Sequence, residues 1–399
     1  MTKPTLISVQ YWMGTWFLRL YWERMKLILS TLTLLTLLIV AGCQTTIKDV
    51  MNSSETQSFF IGTYTDGESL GIYKYALHAD GSLSRIGLAV MSNNPSFLAL
   101  SADKKFLIAV NEINDNDGVG SVESYLVSAD SLKLLNRKSS GGAHPCFVAV
   151  NADGFVLTAN YTGGNVGLLQ LDDQGLLSDI LDVQQHSGQG TTTRQAGPHA
   201  HSAWFNPIDN SIISIDLGTN ELWFSSVDPH SNKFHPSEQE KLQMGPGDGP
   251  RHLAFHPNGK WLYVVNELTS TVSKVERNDA GIYRLESSVS ALPAGYGEPN
   301  TCADIHISSD GNFVYASNRG HNSIAVFNVD AGDGSLKLKG NKACGGEGPR
   351  NFAFSPDENF ILVANQHSNN IVSLRRDRTT GLLKYVSQAE APTPVCIVF

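Results

Sequence analysis

The sequence predicts an all-β fold: a seven-bladed β-propeller with four-stranded antiparallel blades, the ring closed by pairing of N- and C-terminal strands. Three observations predict it. A motif recurs every 45 to 55 residues, each copy contains a hairpin signature, and the last copy is incomplete where the start of the ordered chain could complete it.

The motif is a Pro, an alternating apolar strand, a turn such as Pro-Asn-Gly or Ala-Asp-Gly, a second apolar strand, then Asn. Its clearest copy is Pro250-Arg251-His252-Leu253-Ala254-Phe255-His256-Pro257-Asn258-Gly259, followed by Trp261 to Asn266. Aligning the turns places Pro95, Pro145, Ala200, Pro250, Cys302, Pro349 and Pro394 at one equivalent position, which makes seven copies. Each hairpin leads into further β-rich segments, such as Thr271 to Glu276 and Ser323 to Val329, so each copy reads as a four-stranded blade. The copy at Pro394 ends after one strand, at Phe399. The stretch from Phe59 to Tyr64, continuing through Gly71 to Leu77, supplies the missing strands, and closure removes the exposed sheet edge.

Ahead of that ring lies a different kind of segment. From Met25 the chain reads Met-Lys, an apolar run from Leu27 to Val40, then Ala41-Gly42-Cys43, the pattern of a signal peptide ending in a lipobox. The run is short for a membrane span, which needs about 20 apolar residues. Residues 1–43 are therefore expected as a signal peptide, with Met25 as the true start and Cys43 lipidated. Residues 44–57, polar and rich in Ser and Thr, are expected as a flexible tether, and 58–399 as the propeller. This predicts a monomer exported and lipid-anchored in the bacterial envelope, on the periplasmic face, or a cytoplasmic protein if the signal is unused.

Composition narrows the partners. The formal charge is −9 and no Lys/Arg-rich run exists, so the phosphate neutralisation that nucleic-acid binding demands is unsupported. Cleavage after the lipobox would remove four basic residues and one acidic one, leaving a more acidic chain. The remaining cysteines, Cys146, Cys302, Cys344 and Cys396, form no CxxC pair and no Cys/His metal spacing, and read as buried free thiols.

In an antiparallel hairpin, the start of the first strand and the end of the second lie together, so these positions from all copies share one mouth. The residue after the equivalent Pro is Ser96, Cys146, His201, Arg251, Ala303, Arg350 or Val395. The residue after the equivalent Asn is Glu112, Tyr161, Leu217, Glu267, Arg319 or Gln366, with Tyr64 a looser match. Ionisable groups concentrate in adjacent copies as His201, Arg251, Glu267 and Arg319. The nearby His199, His252, Asp304, His321, Arg350 and Asn351 enrich the same rim as candidate substrate contacts. Each also has a plainer reading: Arg350 and Glu112 as an ion pair between blades, His252 as packing. His199 and His201 could bind a metal from one strand face, yet no further ligand of suitable spacing accompanies them. The loop from Gly188 to Gly197, with Thr191-Thr192-Thr193-Arg194, reads as an ordinary loop or as an anion cradle. No Gly-x-Ser-x-Gly elbow appears.

Taken in order, Gly249-Pro250-Arg251-His252-Leu253-Ala254-Phe255-His256-Pro257, Asn266-Glu267-Leu268, Ala303-Asp304-Ile305-His306, Asn318-Arg319-Gly320-His321 and Gly348-Pro349-Arg350-Asn351 resemble the seven-bladed propeller lactonase family over nearly all of 58–399. That family includes bacterial 6-phosphogluconolactonases and a fungal carboxy-muconate lactonizing enzyme. The resemblance implies a site of His201, Arg251, Glu267 and Arg319, with Arg251 and Glu267 sixteen residues apart as in the muconate branch.

It further implies hydrolysis of a small anionic sugar lactone, 6-phosphogluconolactone foremost, without cofactor or metal. Ring opening needs an activated water and a stabilised oxyanion. The arginines suit anion and oxyanion binding, with Arg350 toward phosphate, and either Glu267 or His201 suits the general base. A non-catalytic envelope propeller that binds a ligand or partner, and a muconate-type lactonizing cycloisomerase, are the competing readings.

Overall fold

In the computed structural model, residues 56–115, 117–129 and 131–399 are described; the leader, Cys43 and the tether as far as residue 55 lie outside them. Seven four-stranded antiparallel sheets follow one another along the chain. Their first strands are Leu98–Leu100, Pro145–Val150, Ala200–Phe205, Pro250–Phe255, Thr301–Ile307, Pro349–Phe354 and Pro394–Val398. We number the blades 1 to 7 in that order. The first strand of every blade contacts the first strands of both neighbours, around to blade 7 and back to blade 1, so these strands surround the axis of a closed ring.

The terminal blade is built as the sequence predicts. Pro394–Val398 pairs antiparallel with Gln57–Thr63, which places Ile61 opposite Ile397 and Gly62 opposite Cys396. Gly71–Leu77 and Leu83–Met91 complete that sheet. The predicted segment at Ser323 is a strand over Ser323–Val329, and the one at Thr271 runs one residue further, Thr271–Arg277.

Burial explains why the inner strands are continuous apolar runs while the outer strands alternate. The second strand of blade 6, Phe360–Asn365, is buried at every residue, because its two faces pack against blades on either side. By contrast the fourth, Leu383–Glu390, exposes Lys384 and Tyr385. One apolar cluster fills each of the seven interfaces between blades; that between blades 4 and 5 is built around Tyr263, Val265, Val314 and Phe327. The turns between first and second strands need a left-handed residue. Gly259 supplies it in blade 4 at φ 71, and Lys104 and Glu358 adopt the same conformation in blades 1 and 6.

One regularity bears directly on the site. The register slips after Pro145, Ala200, Pro250 and Pro349, so that two residues of the first strand oppose one of the second. The bulged residues are Cys146, His201, Arg251 and Arg350. Blade 7 bulges likewise at Val395, and blade 5 at Ala303 and Asp304. A bulge frees its residue from the ladder and re-aims its side chain. Most of the candidate positions after the equivalent Pro are such residues.

Candidate active site

The partner position, after the equivalent Asn, is fixed by a backbone hydrogen bond across the hairpin end in every blade but blade 5, where Arg319 lies within its strand opposite Thr301. Glu267 N donates to Gly249 O at 2.7 Å, Glu112 N to Asn94 O at 3.0 Å, Tyr161 N to His144 O at 2.9 Å, and Tyr64 N to Thr393 O at 3.2 Å. Hairpin ends from neighbouring blades thereby deliver their side chains to a common place.

Glu267 is the hub. Its Oε2 lies 3.2 Å from Arg251 Nε and 2.9 Å from Arg319 Nη2, while its Oε1 accepts from Arg194 Nη2 at 3.1 Å. The Arg251–Glu267 contact is an ion pair and not an aligned hydrogen bond, since Arg251 Nε has no hydrogen-bond partner among the described residues. Arg251 is only 2% exposed and donates from Nη1 to Ala303 O at 2.5 Å; Arg319 donates from Nη2 to Cys302 O at 2.9 Å. On the opposite side Tyr64 OH donates to Glu112 Oε2 at 2.7 Å, and Arg350 lies 4.0 Å from that oxygen and 5.3 Å from the centre of the Tyr64 ring.

His201, 4% exposed, sits between these groups. Its ring meets Tyr161 edge-on at 5.6 Å and His252 at 5.3 Å, and Cys146 Sγ lies 3.7 Å from its Nδ1 and 3.4 Å from its carbonyl oxygen. No hydrogen bond to Nε2 occurs among the described residues. His199 stacks on Tyr161 at 4.5 Å and holds the Tyr161 carbonyl through Nδ1 at 3.0 Å.

Burial and charge set the protonation states. Burial alone would push the Glu267 carboxyl up, but Arg319, Arg251, Arg194 and Arg350 overcome it and hold the group at about 2. Burial, with Arg319 and Arg350 nearby, lowers Arg251 to about 10, which leaves it cationic at neutral pH. Burial first, then Arg251, holds His201 well below the usual imidazole range, so the ring is neutral. Burial raises the Tyr64 phenol and the Cys146 thiol, keeping both protonated. Four guanidiniums thus face two carboxylates, and the excess positive charge sits inside an otherwise acidic chain. Such a mouth favours a small anion and can stabilise a developing oxyanion beside a neutral base.

The four residues His201, Arg251, Glu267 and Arg319 are brought together, and His199 and Arg350 join their rim. His252, Asp304 and Asn351 form a buried layer behind these, with His252 Nε2 3.4 Å from Arg251 Nη1 and its ring against His201. Asp304 accepts from His252 Nδ1 at 2.8 Å, Asn351 Nδ2 at 2.6 Å, His306 Nε2 at 3.2 Å, and the backbone of Ile305 and Phe352. Asn351 Oδ1 accepts from Ile397 N at 2.8 Å. Buried and bonded to one another, these three tie blades 4, 5, 6 and 7 together beneath the pocket, and the His252 ring packs on Phe97, Phe147 and Trp204. His321 bonds Ser323 Oγ at 2.7 Å and meets Tyr296 edge-on, with no contact to the Glu267 cluster. Among the described residues, Cys146, Cys302, Cys344 and Cys396 are buried and unbridged.

Arg194 escaped assignment as a site residue because no period places it. It sits on a single 3-10 turn, Thr193–Gln195, in the loop before blade 3; the repeat register reaches Tyr64 and Tyr161 without assigning them a role, and Glu112, expected as the ion-pair partner of Arg350, lies 4.0 Å from it.

A family profile described as a 7-bladed beta-propeller lactonase matches residues 58–399. The chain is 36% identical to a 6-phosphogluconolactonase of Bacillus subtilis, over 85% of this chain and 97% of that one. Among solved structures, a putative 6-phosphogluconolactonase of Bacteroides fragilis is 32% identical with a TM-score of 0.81, covering 87% of this chain and 99% of the other. The periplasmic gluconolactonase of Pseudomonas aeruginosa is 29% identical with a TM-score of 0.81, covering 86% and 99%.

Proposed function

Since this chain belongs to the seven-bladed β-propeller lactonase family, and is a lactone hydrolase by that membership, we propose that it hydrolyses 6-phosphogluconolactone to 6-phosphogluconate at the cluster around Glu267. The observation that carries this reading is the convergence of Arg251, Arg319 and Arg194 on one carboxylate beside a neutral His201.

The roles follow from which atoms are available. Both oxygens of Glu267 are engaged by guanidiniums and its carboxyl is held at about 2, so it serves to position Arg251 and Arg319. His201 Nε2 is the general base. We assign the Cys146 S–H to the His201 carbonyl, with Nδ1–H turned to the sulfur, which leaves Nε2 unprotonated. Nε2 takes a proton from water as the water oxygen attacks the lactone carbonyl carbon. Arg251 and Arg319 stabilise the resulting oxyanion. As the ring C–O bond breaks, the imidazolium returns the proton to the departing alkoxide, and the product is the ring-opened hydroxy acid. Four guanidiniums around the pocket repel a divalent cation, so the step is assigned to the side chains alone.

A second reading of the substrate is favoured by the leader-like segment at 25–43. If Cys43 is lipidated and the propeller exported, the substrate available to it is an unphosphorylated glucono-lactone, as the name of the Pseudomonas relative suggests for that protein. The test is hydrolysis of both lactones by the purified protein, with and without EDTA, against the spontaneous rate. Turnover of the phosphorylated lactone that survives EDTA is expected; turnover of neither lactone overturns the proposal, and preference for the unphosphorylated one selects the second reading. Incorporation of labelled palmitate, lost in Cys43→Ser, tests the anchor.

A further inference from the structure

Three of the four guanidiniums at the mouth are largely buried. Arg251 is buried, with Nη1 on the Ala303 carbonyl and Nε against Glu267. Arg319 spends Nη2 on the Cys302 carbonyl and on Glu267. Arg350 is lodged between Glu112 and the face of Tyr64. Arg194 differs in exposure: its side chain is 52% exposed, against 17% for Arg319 and Arg350 and 2% for Arg251, and both its bonds, to Tyr161 OH at 3.0 Å and Glu267 Oε1 at 3.1 Å, come from the single nitrogen Nη2. A guanidinium carries five donors in a rigid fork, so three N–H groups on Nε and Nη1 make no hydrogen bond within the described residues.

Beneath this exposed group the backbone is held by hydrogen bonds. Gln195 is fully buried and donates to Leu217 O at 2.9 Å and Asn220 Oδ1 at 3.0 Å, while its Oε1 accepts from the backbone N–H of Thr191 and Thr192. The loop is thus bolted to blade 3 through Gln195, which also gathers the backbone of Thr191 and Thr192, and the Arg194 side chain extends from this fixed turn to Glu267. It touches the same carboxylate as Arg251 and Arg319, which gathers the three guanidiniums around one side chain.

Building on the lactone-hydrolase reading, we propose that Arg194 is the recognition subsite for a phosphate dianion at the far end of the substrate, and that it sets the preference for phosphorylated over unphosphorylated lactones. The planar fork accepts phosphate through two parallel bonds, and a dianion outcompetes the neutral Tyr161 hydroxyl for it.

The experiment compares wild type with Arg194→Ala and Arg194→Lys in two measurements. In calorimetry with the products 6-phosphogluconate and gluconate, wild type is expected to bind the phosphorylated one more tightly. Arg194→Ala is expected to lose roughly tenfold to hundredfold of that difference, and the Lys variant to keep part of it. In turnover, the ratio of kcat/KM for phosphorylated over unphosphorylated lactone falls by a similar factor, through KM. Equal changes for both ligands, or no change, overturn the subsite. Should wild type hydrolyse neither lactone, the functional reading falls, while the product-binding comparison still decides the role of Arg194.

Discussion

Replacing Glu267 by Gln keeps side-chain volume and removes the one charge shared by three guanidiniums. The carboxyl stands at about 2 where an ordinary one is 4.5. At 1.36 kcal/mol for each tenfold in the protonation equilibrium, the arginines favour the ionised form by about 3 kcal/mol after burial has been opposed. Solvent screening removes little of this, because the side chain is only 7% exposed. The folded value lies below the unfolded one, so the contribution is complete above pH 4.5 and is lost as the pH falls through about 2. Equilibrium urea unfolding of Glu267→Gln at pH 7 is therefore expected to show a loss of about 3 kcal/mol. The gap to wild type should close as the pH falls from 4.5 toward 2. Hydrolysis should fall by roughly 10²-fold to 10³-fold as Arg251 and Arg319 lose their anchor. A variant as stable as wild type at pH 7, or a gap independent of pH, refutes the electrostatic account of the hub.

Three further outcomes are expected. His201→Asn should lower hydrolysis by roughly 10²-fold to 10⁴-fold with an unchanged circular dichroism spectrum. In wild type, kcat/KM should stay flat from neutral pH to below 6.5, because burial and Arg251 keep the ring unprotonated there; an inflection near 6.5 counts against His201 as the base. Asp304→Asn removes the charge and turns one of two acceptor oxygens, which together take five hydrogen bonds, into a donor; losing at least two of these buried bonds should lower stability by roughly 3–5 kcal/mol in urea unfolding, an effect absent if the network is idle. In a Cys43→Ser background, a thiol reagent should label none of the four remaining cysteines until denaturant is added. Burial raises their thiols, Cys302 to about 12 and Cys344 to about 11, and prompt labelling of the native protein would contradict that burial.

The ring was legible because its signal is redundant: seven copies of strand, turn and strand, each with buried faces on both sides. The hub was legible too, since the positions after Pro and Asn share a hairpin end. What the sequence hides is the bulge. Strict alternation counts His252 as the neighbour of Arg251, but the slip after Pro250 turns Arg251 out of the ladder and leaves His252 paired opposite Val265. Counting polar residues near a rim therefore cannot separate those that line the pocket from those bonded beneath it, and His252, Asp304 and Asn351 belong to the second group. Arg194 was opaque for a different reason. Its position depends on Gln195 reaching across to Leu217 and Asn220, a tertiary contact with no local pattern.

Closing the ring and completing the site are one event. Tyr64 follows the strand Gln57–Thr63, whose pairing with Pro394–Val398 closes the ring. The Tyr64 hydroxyl then bonds Glu112 of blade 1, and its ring covers Arg350 of blade 6. Without that strand, Arg350 would lose its aromatic cover and Glu112 its hydrogen bond, leaving charges near the axis without the contacts that offset burial. No single blade holds more than a fraction of the four guanidiniums, and gathering them in one sheet would set like charges side by side. The hairpin ends of blades 4, 5 and 6 and the loop before blade 3 spread them around two carboxylates, so the charge density that suits an anionic substrate exists only in the closed propeller.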